Sequence, residues 1–82
     1  MPTILSILGW RLFFYSNENN EPIHIHAQKA DSECKFWIKE TEFDIVEAYS
    51  YNLSPQLRKE IRKIIFQHFD YIVAEWNKYF NK

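Results

Sequence analysis

The run Pro22-Ile23-His24-Ile25-His26 places two of the chain's three histidines two residues apart in a stretch of β-type residues. Side chains alternate across a strand, so both imidazoles should leave the same face. Imidazole titrates near neutral pH and ligates first-row metals, so the pair is suited to proton transfer or to metal binding. A metal site needs a third or fourth ligand and hydrogen-bond partners behind the rings. Glu18, Asp44, Glu47 and His68 are the nearest candidates by type, and none has a spacing that directs it to the pair. The pattern therefore assigns no metal and no cofactor. His24 and His26 stand as the candidate catalytic residues for an enzyme alternative: acid and base in RNA cleavage, or a metal-dependent hydrolysis centred on the pair. Against it stands a pair of half-exposed structural histidines on a polar strand face. The segment 17–21 holds no glycine-rich phosphate cradle, and no serine or cysteine has a nucleophile setting.

The elements that must carry these rings follow from periodicity. Residues 3–16 are rich in β-branched and aromatic side chains, interrupted by Gly9, which fits a bulge or a break between two short strands; one strand, possibly bent, is the expectation. Ser16 to Pro22 collects turn formers and should be an exposed loop. From Ile23 to Lys29, the residues Ile23, Ile25 and Ala27 alternate with His24, His26 and Gln28; from Cys34 to Lys39, the residues Cys34, Phe36 and Ile38 oppose Lys35, Trp37 and Lys39. Phe43 to Ala48 forms a shorter strand whose acidic residues suit an edge. At Ser54-Pro55 the period changes, because serine is a helix N-cap and proline is tolerated at the first helical position. Leu57, Ile61, Ile64, Ile65, Phe69, Ile72, Val73, Trp76 and Phe80 then draw one apolar stripe. A straight helix carrying it would run about 39 Å, against roughly 20 Å for a short strand, so a kink near Gln67-His68 or an overhanging end is expected.

The expected fold is α+β: a small antiparallel sheet of three or four strands packed against a long or kinked C-terminal helix. A single domain is expected over 1–82, with a strand-rich half at 1–49 and a helical half at 54–81. Eighty-two residues that are 46% hydrophobic and 18% aromatic are enough for one core. A net charge of −1 supplies no global field for nucleic acid or an anionic membrane. The lone Cys34 excludes an internal disulfide framework and fits a small buried hydrophobe. The apolar start from Ile4 to Tyr15 carries Arg11 and lacks the basic flank and cleavage site of a signal peptide, and it is too short to span a bilayer. A soluble, cytoplasmic protein without membrane contact is expected.

If Ile25, Phe36 and Ile38 face the helix, the opposite face presents Arg11, Tyr15, His24, His26 and Trp37 together with Phe13, Lys35 and Lys39. Aromatic and basic groups interleaved on a sheet suit a protein interface, and they also suit stacked bases and phosphates. The near-neutral charge favours the protein contact, so the expectation is a protein-interaction module with a protein partner or self-association as a homo-oligomer, nucleic acid being the second choice. Arg58, Lys59, Arg62 and Lys63 form two i,i+4 pairs near the helix N-terminus, where the dipole disfavours cations. They fit a solvated helix face or a contact with an acidic partner.

Four segments carry a resemblance across nearly the whole chain: Met1-Pro2-Thr3-Ile4, Phe13-Phe14-Tyr15-Ser16-Asn17-Glu18, Glu21-Pro22-Ile23-His24-Ile25-His26 and Glu75-Trp76. Their order and spacing resemble the bacterial domain-of-unknown-function 4160 family. The resemblance implies a strand-rich half followed by a helical half, a bacterial origin and membership of small two-gene modules of the toxin–antitoxin kind. Members of that family often place a histidine beside the late tryptophan, and Ala74-Glu75-Trp76 has none. The resemblance thus implies no third imidazole from that position.

Overall fold

The computed structural model describes residues 3–15 and 20–80. Glu18 and most of the loop expected between Ser16 and Pro22 lie outside the described residues. Five strands run in chain order across one antiparallel sheet: β1 (Thr3–Ile7), β2 (Trp10–Phe13), β3 (His24–Lys29), β4 (Ser32–Lys39) and β5 (Asp44–Tyr51). Two helices follow, α1 (Pro55–Gln67) and α2 (Phe69–Tyr79). The architecture is α+β, with one strand more than the three or four expected, and with two helices in place of a single one.

The extra strand arises at Leu8-Gly9. Both residues have positive φ, 53° and 85°, which turns the chain back on itself and divides the first apolar run into the β1–β2 hairpin. At the other end of the sheet, β5 extends to Tyr51, past the expected end at Ala48. Lys35 faces Tyr49 and Phe36 faces Glu47, so Ala48 is an extra residue in β5, and the bulge interrupts the alternation that would reveal a strand.

Ile25, Ala27, Cys34, Phe36, Ile38 and Ile45 join Ile61, Ile64, Ile65, Phe69, Ile72, Val73 and Trp76 in one buried cluster, which places the apolar stripe of the helices on one face of the sheet. The helical segment starts as its sequence demands: the Ser54 hydroxyl accepts a hydrogen bond from the Leu57 N–H at 3.1 Å, and Pro55 occupies the first turn. The break falls at His68, whose φ of −116° and ψ of 23° leave the helical region. Its N–H is shared between the carbonyls of Ile64 and Ile65, and its carbonyl receives the Ile72 N–H at 2.9 Å. Backbone pairing thus continues through the break, and the stripe of both helices stays in the one buried cluster.

Polar side chains tie α1 to the sheet. Arg58 Nε donates to Glu47 Oε1 at 2.7 Å, and Lys29 Nζ and Trp10 Nε1 both donate to Glu60 Oε1, at 2.9 and 2.7 Å. The bond from Arg58 holds the Glu47 carboxyl below its ordinary range, and Lys29 does the same for Glu60. A depressed carboxyl contributes stability above the unfolded pKa and loses it as pH falls through the folded value. Glu47→Gln is therefore expected to destabilise the fold at neutral pH, with the deficit closing on acidification, as read from urea unfolding at a series of pH values. Ser54→Ala should lower unfolding free energy by about 1 kcal/mol in the same assay, the ordinary value of a lost N-cap.

Candidate functional site

Strand β3 is the central strand of the five, so its outward residues have neighbours on β4, and His26 and Gln28 on β2 as well. Across β2, His26 faces Phe13 and Gln28 faces Arg11; across β4, His24 faces Trp37 and His26 faces Lys35, which in turn faces Tyr49 on β5. The register thus gathers Arg11, Phe13, His24, His26, Lys35, Trp37 and Tyr49 on the face opposite the main core. Tyr15, just past β2, closes on the same group through its ring contact with His26. All five residues expected in the binding face, Arg11, Tyr15, His24, His26 and Trp37, lie in this one constellation.

The two histidines are buried, with 0% and 3% of their surfaces exposed, where the sequence suggests half-exposed rings. Their cover is aromatic. His26 stacks on Phe13 at 5.4 Å between centroids and meets Tyr15 edge-on at 4.7 Å. His24 meets His26 at 5.1 Å, Trp37 at 5.5 Å and Trp76 of α2 at 4.8 Å, all edge-on. Trp76 itself packs against Phe14 and Phe80. Edge-to-face contacts of this kind direct the positive rim of one ring at the negative face of the next and add about 0.5–1.5 kcal/mol each beyond buried area.

Hydrogen bonds fix the rings further. His24 Nδ1 lies 2.9 Å from the Pro22 carbonyl oxygen. A carbonyl only accepts, so Nδ1 carries the proton, and in the neutral ring Nε2 carries the lone pair. His26 Nδ1 lies 3.4 Å from the Tyr49 hydroxyl. The nearby charge belongs to Glu21 and Lys35, paired at 2.8 Å, with Glu21 Oε1 4.0 Å from His24 Nδ1. Lys35 also lies over the Trp37 ring at 4.3 Å, and the Arg11 guanidinium lies over Phe13 at 4.4 Å while donating to Gln28 Oε1. Arg11 and Lys35 are thus laid over aromatic faces and held by Gln28 and Glu21.

Of the donors suggested for a metal, Glu18 lies outside the described residues and the other three are engaged elsewhere. Asp44 Oδ1 accepts the Ile45 N–H, Glu47 is bound to Arg58, and His68 sits at the helix break. Among the described residues no group of three or more histidine, cysteine or acidic side chains is disposed to hold a metal ion. Cys34 lies on the core side, wholly buried, and burial followed by the nearby Glu47 pushes its thiol up to about 12. The helix cations divide: Arg58 turns to Glu47 and Arg62 lies near the rings of Phe36 and Phe66, whereas Lys59 and Lys63 remain exposed.

Tyr49, Glu21 and Trp76 are the members of this constellation that periodicity did not assign to it. Tyr49 follows the bulge in β5, Glu21 precedes its strand, and Trp76 is on the helical stripe while also touching His24. At the rim, Tyr15, Val46, Tyr49 and Tyr51 expose between 36% and 65% of their surfaces, so a closed aromatic floor carries an accessible aromatic border.

A family model described as a domain of unknown function (DUF4160) matches residues 9–77. The chain belongs to that family, as its turn and histidine pair suggested. No curated protein and no solved structure matches it. No helix among the described residues is long and apolar enough to cross a membrane.

The geometry sets two expected outcomes. Nitrogen shifts of neutral His24 should report the Nδ1–H tautomer, and an Nε2–H signature would contradict the bond to Pro22. In native protein at pH 8, Cys34 should resist iodoacetamide and react once urea unfolds the chain, because the thiolate is both scarce and enclosed.

Proposed function

We propose that this protein is a protein-interaction module, and that its partner docks on the aromatic sheet face around Tyr15, Tyr49 and Tyr51. The observation that carries the reading is the contrast between floor and rim. Phe13, His24 and His26 are closed to solvent, while Tyr15, Val46, Tyr49 and Tyr51 stand around them exposed. Tyrosines are favoured at interfaces because each offers a large rigid ring and a hydroxyl that can hydrogen-bond, with few rotatable bonds to freeze. A floor locked by ring contacts lowers the ordering cost of binding, since the exposed side chains stand on residues that do not move. Pairing with the product of a neighbouring gene, as in a toxin–antitoxin module, is the setting in which such a partner is proposed.

The burial of both imidazoles weighs against the enzymatic alternative, RNA cleavage or metal-dependent hydrolysis by the pair. Acid–base catalysis needs a ring nitrogen within about 3 Å of the reacting group, directly or through one water. Here the rings are surrounded by Phe13, Tyr15, Trp37, Tyr49 and Trp76.

A photo-crosslinking amino acid at Tyr49, with one at exposed Ala74 on α2 as the control, tests the proposal in the native host. A discrete protein adduct from position 49 that is absent from position 74 is the expected result, and its mass distinguishes another protein from a second copy. No adduct at 49, or equal adducts at both positions, would contradict it. RNA cleavage by the wild type that disappears in both His24→Ala and His26→Ala, with folding intact, would support the enzymatic alternative instead.

A further inference from the structure

The β1–β2 turn carries a residue that neither its backbone nor its solvation favours. Leu8 has a φ of 53° and Gly9 a φ of 85°, the signs of a mirror-image two-residue hairpin turn. Such a turn prefers asparagine, aspartate or glycine at its first position, because a larger side chain crowds the backbone in the left-handed region. Leu8 is also 67% exposed, so the leucine contributes little burial in return.

Leu8 stands over a groove of about 440 Å³ that Gln56, Lys59, Glu60, Lys63, Ile64 and Gln67 of α1 complete. The charge of Glu60 is already matched by Lys29 Nζ and by the Trp10 indole N–H. Lys59 and Lys63, one turn apart, have no ion pair among the described residues. With Glu60 neutralised, the groove keeps an excess of positive charge from Lys59 and Lys63 beside the exposed Leu8 side chain.

We propose that this groove is a second docking site, which takes an acidic protein segment bearing an apolar side chain. The carboxylates pair with Lys59 and Lys63, the apolar side chain packs against the exposed Leu8, and Gln56 and Gln67 supply hydrogen bonds at the ends. The lining holds no aromatic ring on which a base could stack, which favours a peptide over RNA. This surface is distinct from the aromatic sheet face, and the proposal does not rest on that reading.

The probe is a synthetic peptide of leucine and glutamate, titrated into the labelled full chain and followed by amide shifts, with a leucine/lysine peptide and oligouridylate as controls. Leu8→Asn suits the turn and removes the apolar contact; Lys59→Glu with Lys63→Glu reverses the charge. The acidic peptide should shift the amides of Leu8, Lys59, Lys63 and Ile64, and either variant should weaken it about tenfold or more. Leu8→Asn should at the same time hold or raise the melting temperature. Four results would overturn the proposal: no shifts at these residues, equal binding by the lysine peptide, tighter binding of oligouridylate to them, or a lower melting temperature in Leu8→Asn, which would make Leu8 a structural residue.

Discussion

The His24 imidazole is held between two indoles, Trp37 from the neighbouring strand and Trp76 from the last helix, with its Nδ1–H on the Pro22 carbonyl. Much of the structure depends on that contact, because it joins the outward side chains of β3 to the helical layer on the other side of the sheet. A buried imidazole is tolerated only while its polar atoms are provided for, and the proline carbonyl two residues back provides for one of them from the same strand entrance. Through His26 the contact continues to Phe13, Tyr15 and Tyr49. A two-residue histidine spacing thus serves packing on both faces of a thin sheet, with a tautomer set by the backbone.

The sheet's two edges are treated differently, and both treatments bear on where a partner can approach. On β1 the Tyr71 hydroxyl of α2 donates to the Ile4 carbonyl, so a helix side chain occupies part of that edge. On β5 the extra residue Ala48 and the carboxylates of Asp44 and Glu47 disfavour simple strand addition. Tyr49 and Tyr51 lie on this same strand and remain exposed. The proposed association through the sheet face, by side chains, fits these edges better than extension of the sheet by backbone pairing would.

Local signals were legible where one residue type determines one conformation. Ser54-Pro55 announced the start of α1, the alternation of β3 and β4 divided their residues correctly between the two faces, and the periodic stripe named the buried residues of both helices. The first hairpin was only partly legible: Gly9 marked a break in the apolar run, but the leucine beside it occupies a turn position usually held by small polar residues or glycine, which left a single bent strand as the expectation. The end of β5 was concealed by its bulge, which breaks the period of two. The histidines were located on their face but not at their depth. Their cover comes from Tyr15, Trp37, Tyr49 and Trp76, which are scattered along the chain, and spacing along one strand carries no information about side chains that close over it from elsewhere.

The central claim, that the paired histidines are an enclosed structural element beneath a docking rim, is tested most directly by mapping diethyl pyrocarbonate modification of the three histidines by mass spectrometry. His24 and His26 are buried and His68 is partly exposed at the helix break, so His68 should react first, with the pair protected until the chain unfolds. Modification of His24 or His26 in the folded protein at the rate of His68 would contradict the account and return the pair to the surface as groups free to do chemistry.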